Sequence, residues 1–142
     1  MIQFIKFDPV TGQILLSGRA SESMLRNHHV GNMADNIILD VEAVSDTHYV
    51  NVQNRTLVNK PPKPSTHHYW DYQTKNWILN EDMAWMEVRG KRNAILGESD
   101  WTQLPDVPLA TKEAWADYRQ MLRDVTNQND PLNIVWPVPP SN

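Results

Sequence analysis

The chain has 142 residues, no cysteine, and a formal charge of −4 from 13 basic and 17 acidic side chains. That length supports one domain, or a small domain with an appendage, and buries about 68–70% of the unfolded surface. The composition excludes disulfides and thiolate metal sites, the acidic balance argues against a duplex-binding surface, and no apolar run approaches the roughly 20 residues that span a bilayer.

Residues 2–7 are rich in β-formers and read as a strand. Asp8-Pro9-Val10-Thr11-Gly12 has turn chemistry, proline pre-setting φ and glycine supplying positive φ. Residues 13–17 then return as the partner strand. Residues 19–36 read as polar and irregular, with Ser21 or Ser23 placed to cap a short turn through Met24 and Leu25. Strands are predicted at 37–41 and 48–52, and Asn54-Arg55 turns the chain into 56–58. The run Lys60-Pro61-Pro62-Lys63-Pro64 is unable to pair in a central strand and reads as a stiff extended connector. After it, residues 68–72 and 76–79 flank Gln73-Thr74-Lys75 as a hairpin. Its Tyr69, Trp70, Tyr72 and Trp77 offer cross-strand pairs worth about 0.5–1 kcal/mol each. The first 80 residues thus read as a small antiparallel β-meander with a proline hinge before its last hairpin.

From Asn80 the apolar period changes from two to that of a helix. Asn80 is a cap, with Glu81 and Asp82 in the favourable first turn. Ala84, Trp85, Val88, Ile95 and Leu96 fall on one face. Gly90 suggests a close helix approach, and Gly97 a helix stop. Pro105 and Pro108 forbid a continuous helix through 99–109. Thr111 is read as the cap of a second helix whose stripe is Trp115, Tyr118, Leu122 and Val125. Residues 127–130 end it. The last stretch, with prolines at 131, 137, 139 and 140, is an extended tail that lies back on the helices or docks elsewhere. The fold class is therefore α+β, in four parts: a β-rich part (1–60), a proline hinge with an aromatic hairpin (61–80), an antiparallel helical hairpin (81–126) and a proline-rich tail (127–142). Neither an internal repeat nor a low-complexity segment is read from the chain.

No phosphate loop, dinucleotide fingerprint, nucleophile elbow or zinc-binding His-Glu-x-x-His is present. The pairs His28-His29 and His67-His68 sit on expected loops without the spacing that puts two ligands on one helical face. Asp40 and Glu42 share a strand face, the arrangement of a solvated edge rather than of a sugar-cleaving pair. The reading is no enzyme, with no catalytic residue, cofactor or metal. The Asn54-Arg55-Thr56 glycosylation match is a chance one, because the opening residues lack the apolar core of a secretory signal.

The connector is the most specific stretch. Arg92-Asn93, Leu96, Ser99-Asp100-Trp101-Thr102-Gln103-Leu104-Pro105-Asp106-Val107-Pro108-Leu109, Ala114-Trp115, Tyr118-Arg119-Gln120, Leu122-Arg123-Asp124 and Trp136-Pro137 with Pro139 resemble the phage tail assembly chaperone domain. The resemblance covers roughly residues 81–139. It implies a protein that acts on the tail fibres of tailed bacteriophages by binding, and supplies no catalytic residue.

All six tryptophans lie after residue 69, so the large amphipathic rings concentrate where the resemblance falls. Candidate partner-binding residues are Trp101, Leu104, Val107, Leu109, Trp115, Tyr118 and Trp136. The expected partner is a trimeric tail fibre protein, with three copies of the chain around it, and neither nucleic acid nor membrane. Three functions are weighed: a chaperone that shields apolar fibre surface in the host cytoplasm, a structural adaptor retained in the virion tail, and a glycan-binding receptor module that uses the aromatics of the β part.

Overall fold

In the computed structural model, which describes residues 1–27 and 36–141, the chain forms two units, residues 1–78 and residues 79–142. The first contains β1 (Ile2–Phe7), β2 (Ile14–Ala20), a short helix α1 (Glu22–Asn27), β3 (Ile37–Leu39), β4 (His48–Asn51), β5 (Thr56–Asn59), β6 (His68–Asp71) and β7 (Asn76–Leu79). The second contains α2 (Glu81–Glu98), a 3₁₀ turn (Asp100–Gln103), α3 (Leu109–Arg123) and a second 3₁₀ turn (Asp124–Asn127). The architecture is α+β.

The expected meander is not continuous. β1 lies in the middle of a three-stranded sheet ordered β2-β1-β3, while β4-β5 and β6-β7 are separate two-stranded pairs. β1 takes the centre because its Ile5 and Phe7 are the most deeply buried large side chains of the unit. They form its core with Ile14, Ala43 and Val50. β3 then pairs with the free edge of β1, Ile38 opposite Ile5.

β2 runs past the predicted end at Ser17 because Gly18, Arg19 and Ala20 pair opposite Phe4, Gln3 and Ile2. Backbone pairing asks nothing of their side chains. An irregularity places Leu16 opposite Lys6 but Ile14 opposite Phe7. The extra residue, Leu15, lets Ile14 stay buried while Leu15 and Leu16 are both exposed. β3 is shorter than the predicted 37–41, since Asp40 turns out of the strand at φ 57°. Of the span read as irregular, residues 28–35 lie outside the described residues. Ser21 does cap α1, its hydroxyl accepting from the Met24 N–H at 3.2 Å.

An internal repeat is present after all. Asp8 accepts from the N–H groups of Val10 and Thr11, Asn51 from those of Gln53 and Asn54, and Asp71 from those of Gln73 and Thr74. Four residues past each Asx stands one in the left-handed region, Gly12 at 78°, Arg55 at 57° and Lys75 at 54°. Each side chain satisfies two turn donors and the left-handed residue returns the chain to its partner strand. Only Gly12 requires glycine. A Cβ there would sit 2.0 Å from the Val50 carbonyl oxygen, against which Gly12 is held by its own bond to the Val50 N–H. The repeat is hard to see in sequence because the two later copies lack glycine.

In the second unit, Asn80 caps α2 as expected, accepting from the Met83 N–H at 3.2 Å. Three other readings are corrected. Gly97 does not stop α2, which runs to Glu98 and is closed by Ser99, whose N–H reaches the carbonyls of Ile95 and Leu96. Gly90 makes no close approach, since an added Cβ would meet nothing within 4 Å. Thr111 is no cap. α3 begins at Leu109, where Pro108 ends the extended connector and its carbonyl accepts from the Lys112 N–H, leaving Thr111 inside the first turn. The core of the unit is Ala84 and Val88 from α2, Tyr118 and Leu122 from α3, and Val125 beyond them.

Candidate interaction surface

The connector between α2 and α3 is held by one buried cation. Arg119 on α3 donates to the Leu96 carbonyl at 2.6 Å and to Ser99 Oγ at 2.6 Å, and a second nitrogen donates to Asp100 Oδ1 at 2.7 Å. The guanidinium is buried and the Asp100 carboxylate exposed, so the cation's charge is met at the rim by a solvated partner. The network continues inward. Thr102, fully buried, donates from its hydroxyl to the Ser99 carbonyl at 2.6 Å and accepts from Gln103, whose amide also reaches the Lys112 carbonyl at the start of α3. Ser99 and Asp100 are thus tied to Arg119 on α3, and Gln103 to Lys112 at its start, with Thr102 bridging Ser99 and Gln103. Their polar pairing holds the turn so that its apolar members need not face inward.

Those apolar members form the surface. Trp101 and Leu104 are each 51% exposed and Leu109 is 69% exposed, while Val107 is half-buried. Trp101 is braced from below by Trp115 at 6.2 Å between ring centroids, and Trp115 meets Tyr118 edge-on at 5.5 Å. This ladder runs from solvent to core: Trp101 exposed, Trp115 half-buried, Tyr118 buried. Tyr118 therefore supports the ring above it and presents little surface itself. Offset and edge-on contacts of this kind contribute about 0.5–1.5 kcal/mol beyond area burial.

The tail lies back on the second unit. Gln128 clamps Val135 at two points, accepting from its N–H at 2.9 Å and donating to its carbonyl at 3.0 Å. Trp136 carries the Lys91 ammonium over its ring at 4.4 Å, a contact that joins tail to α2. Asp130 bends the chain into the tail. The Asn133 side-chain amide and the Leu132 N–H hold its carboxyl below the usual range. Trp136 is half-buried here, apart from the exposed connector, and Val135 and Val138 are strongly exposed.

Of the seven candidates, Trp101, Leu104 and Leu109 are exposed, and Val107, Trp115 and Trp136 are half-buried, with Tyr118 buried. Arg119 was not among them. Its signal is an arginine set four residues after Trp115 and three before Leu122, on the stripe that buries, with an uncharged Ser and Thr waiting in the connector. Among the described residues no three His, Asp or Glu side chains gather to hold a metal, and no helix is long and apolar enough to cross a membrane.

These features define an α+β protein whose second unit offers an aromatic face on a polar-locked connector. Residues 85–141, nearly all of that unit, match the phage tail assembly chaperone protein family. The resemblance carried by the connector and its flanking motifs is thereby supported. The description of that family is phage tail assembly chaperone protein. Comparison with curated proteins and with solved structures gives no match.

Proposed function

We propose that the protein binds a phage tail fibre during assembly and covers apolar fibre surface until folding, trimerisation or attachment is complete. The observation that carries this reading is the coincidence of the family match with the exposed Trp101, Leu104 and Leu109. Exposed aromatic and aliphatic side chains on a rigid support lose little entropy when a partner covers them. Unassembled fibre chains expose the apolar surface that such a face shields from aggregation. The second unit acts as a helical hairpin, folded back at the connector, and the work is done in the host cytoplasm by up to three copies around a trimeric fibre.

Co-expression with candidate tail fibre proteins, followed by co-purification and mass measurement, tests the proposal. A complex that Trp101→Ala abolishes, with the circular dichroism of the free protein unchanged, is the expected result. Absence of any fibre complex overturns it. Presence of the protein in purified particles would replace the transient role with that of an adaptor.

A further inference from the structure

The first unit holds a second candidate site, unrelated to the assembly face. The proline run and the last two hairpins enclose a cleft of about 610 Å³, within the size range of small-ligand sites. Its aromatic wall is Tyr69, Trp70 and Trp77, and Asp46 and Thr47 lie at its polar side.

Two ligand types are already supplied by the chain itself. Trp77 donates its indole N–H to the Pro61 carbonyl at 2.7 Å. That is how an aromatic groove holds a proline-rich segment, so its peptide slot is filled from within. The Lys60 ammonium stands over Trp70, Tyr72 and Trp77 at 5.3–5.7 Å and donates to the Ser45 carbonyl at 2.7 Å, which fills the cation cage. Burial pushes Lys60 down and Tyr72 up, with the Asp46 carboxylate opposing the first shift and adding to the second.

What stays open has a different character. The Tyr69 ring is 53% exposed. Asp46 and Thr47 bring exposed oxygens to the same cleft. An exposed flat ring beside several oxygens fits a ligand that is apolar on its faces and hydroxylated at its edge.

We propose that this cleft binds a short saccharide, stacked on the exposed Tyr69 ring with its hydroxyls on Asp46 and Thr47. The test uses the full chain, ¹⁵N-labelled, with the indole resonances of Trp70 and Trp77 followed by NMR. Maltose, cellobiose, diacetylchitobiose and a lipopolysaccharide core oligosaccharide are each added to about 10 mM, since single-ring stacking gives affinities near the millimolar range. The expected result is a saturable shift of the Trp70 indole N–H with at least one of them, weakened about tenfold or more by Tyr69→Ala and by Asp46→Asn in a still-folded chain. Both side chains are exposed, so neither change empties the core. No shift with any saccharide overturns the proposal, as does binding that both variants leave unchanged. A proline-rich peptide that moves Trp70 where the sugars do not overturns it as well. Loss of fibre binding leaves these readouts untouched, so the two proposals fail separately.

Discussion

The first unit reverses its chain three times with an Asx side chain and a left-handed residue, whereas the second passes from one helix to the next through a buried guanidinium. In the first, the bonds from each turn's own Asx side chain reach no further than three residues along the chain from Asp8, Asn51 or Asp71. In the second, the turn at 99–103 is fixed by Arg119, which belongs to the following helix. Local turns tolerate different residues in the returning position, as Gly12, Arg55 and Lys75 demonstrate. A turn set from a distance has one point of failure.

The sharpest way to break this comparison lies inside the first unit. Gly12→Ala is expected to cost about 3 kcal/mol, because strain at positive φ is joined by a clash with backbone that has nowhere to move. Arg55→Gly and Lys75→Gly, at the equivalent positions, relieve the positive φ but remove the bonds to the Ile37 and Thr11 carbonyls, and are expected to cost about 1–2 kcal/mol. Denaturant titration of the three variants checks this. A Gly12→Ala cost of about 1 kcal/mol or less would mean that positive φ alone, and not the Val50 carbonyl, sets the preference for glycine.

Next in size is Arg119→Met, expected to destabilise the second unit by about 2–3 kcal/mol, the scale of charge-assisted bonds whose buried partners are left unmade. The exposure of Asp100 keeps the loss below that of a fully buried ion pair. Arg119→Lys is expected not to rescue, since one ammonium does not span Leu96, Ser99 and Asp100 together. Hydrogen exchange, read separately over α3 and over β1, distinguishes loss of the second unit from general unfolding. The Trp101→Ala change inverts the pattern. Half its ring faces solvent, so stability is expected to fall by under about 1 kcal/mol while fibre affinity drops by about 2 kcal/mol or more.

How far these differences were legible follows from their range along the chain. The strands, the Asn80 cap and the change of period at residue 80 are local signals, and the structure bears them out. Sheet order is not local. Nothing in 37–39 declares that it will pair with β1 rather than follow β2, because that depends on which strand buries Ile5 and Phe7 most completely. The helix boundaries failed at Gly97 and Thr111 because residues with strong cap preferences were outcompeted, at one end by the tertiary bonds around Ser99 and at the other by Pro108. Arg119 was quoted within a motif but assigned no role, since a charged residue beside Tyr118 normally marks the solvated face. Trp101 and Leu104 were legible as surface because Pro105 and Pro108 keep their segment out of a continuous α-helix.

The smallest expected effect isolates what the turn carboxylates do. Asp71 accepts from the Thr74 hydroxyl and from the Thr74 and Gln73 N–H groups, and these bonds hold its carboxyl below the ordinary 3.8. Asp8 is lowered in the same direction by the N–H groups of Thr11 and Val10. A carboxyl lowered on folding contributes stability above its unfolded value, and that stability is lost as pH falls through the folded value. The first unit should therefore weaken with acid at and below about pH 3.8. Asn51 occupies the equivalent position of the second hairpin without any charge, so Asp71→Asn keeps the turn's acceptor while removing the proton linkage. The expected outcome, in melts taken between about pH 5 and about pH 2, is a shallower decline of Tm for Asp71→Asn and a shallower one still for D8N with D71N. An unchanged decline would place the acid sensitivity elsewhere and reduce the three turns to a shared geometry without shared electrostatics.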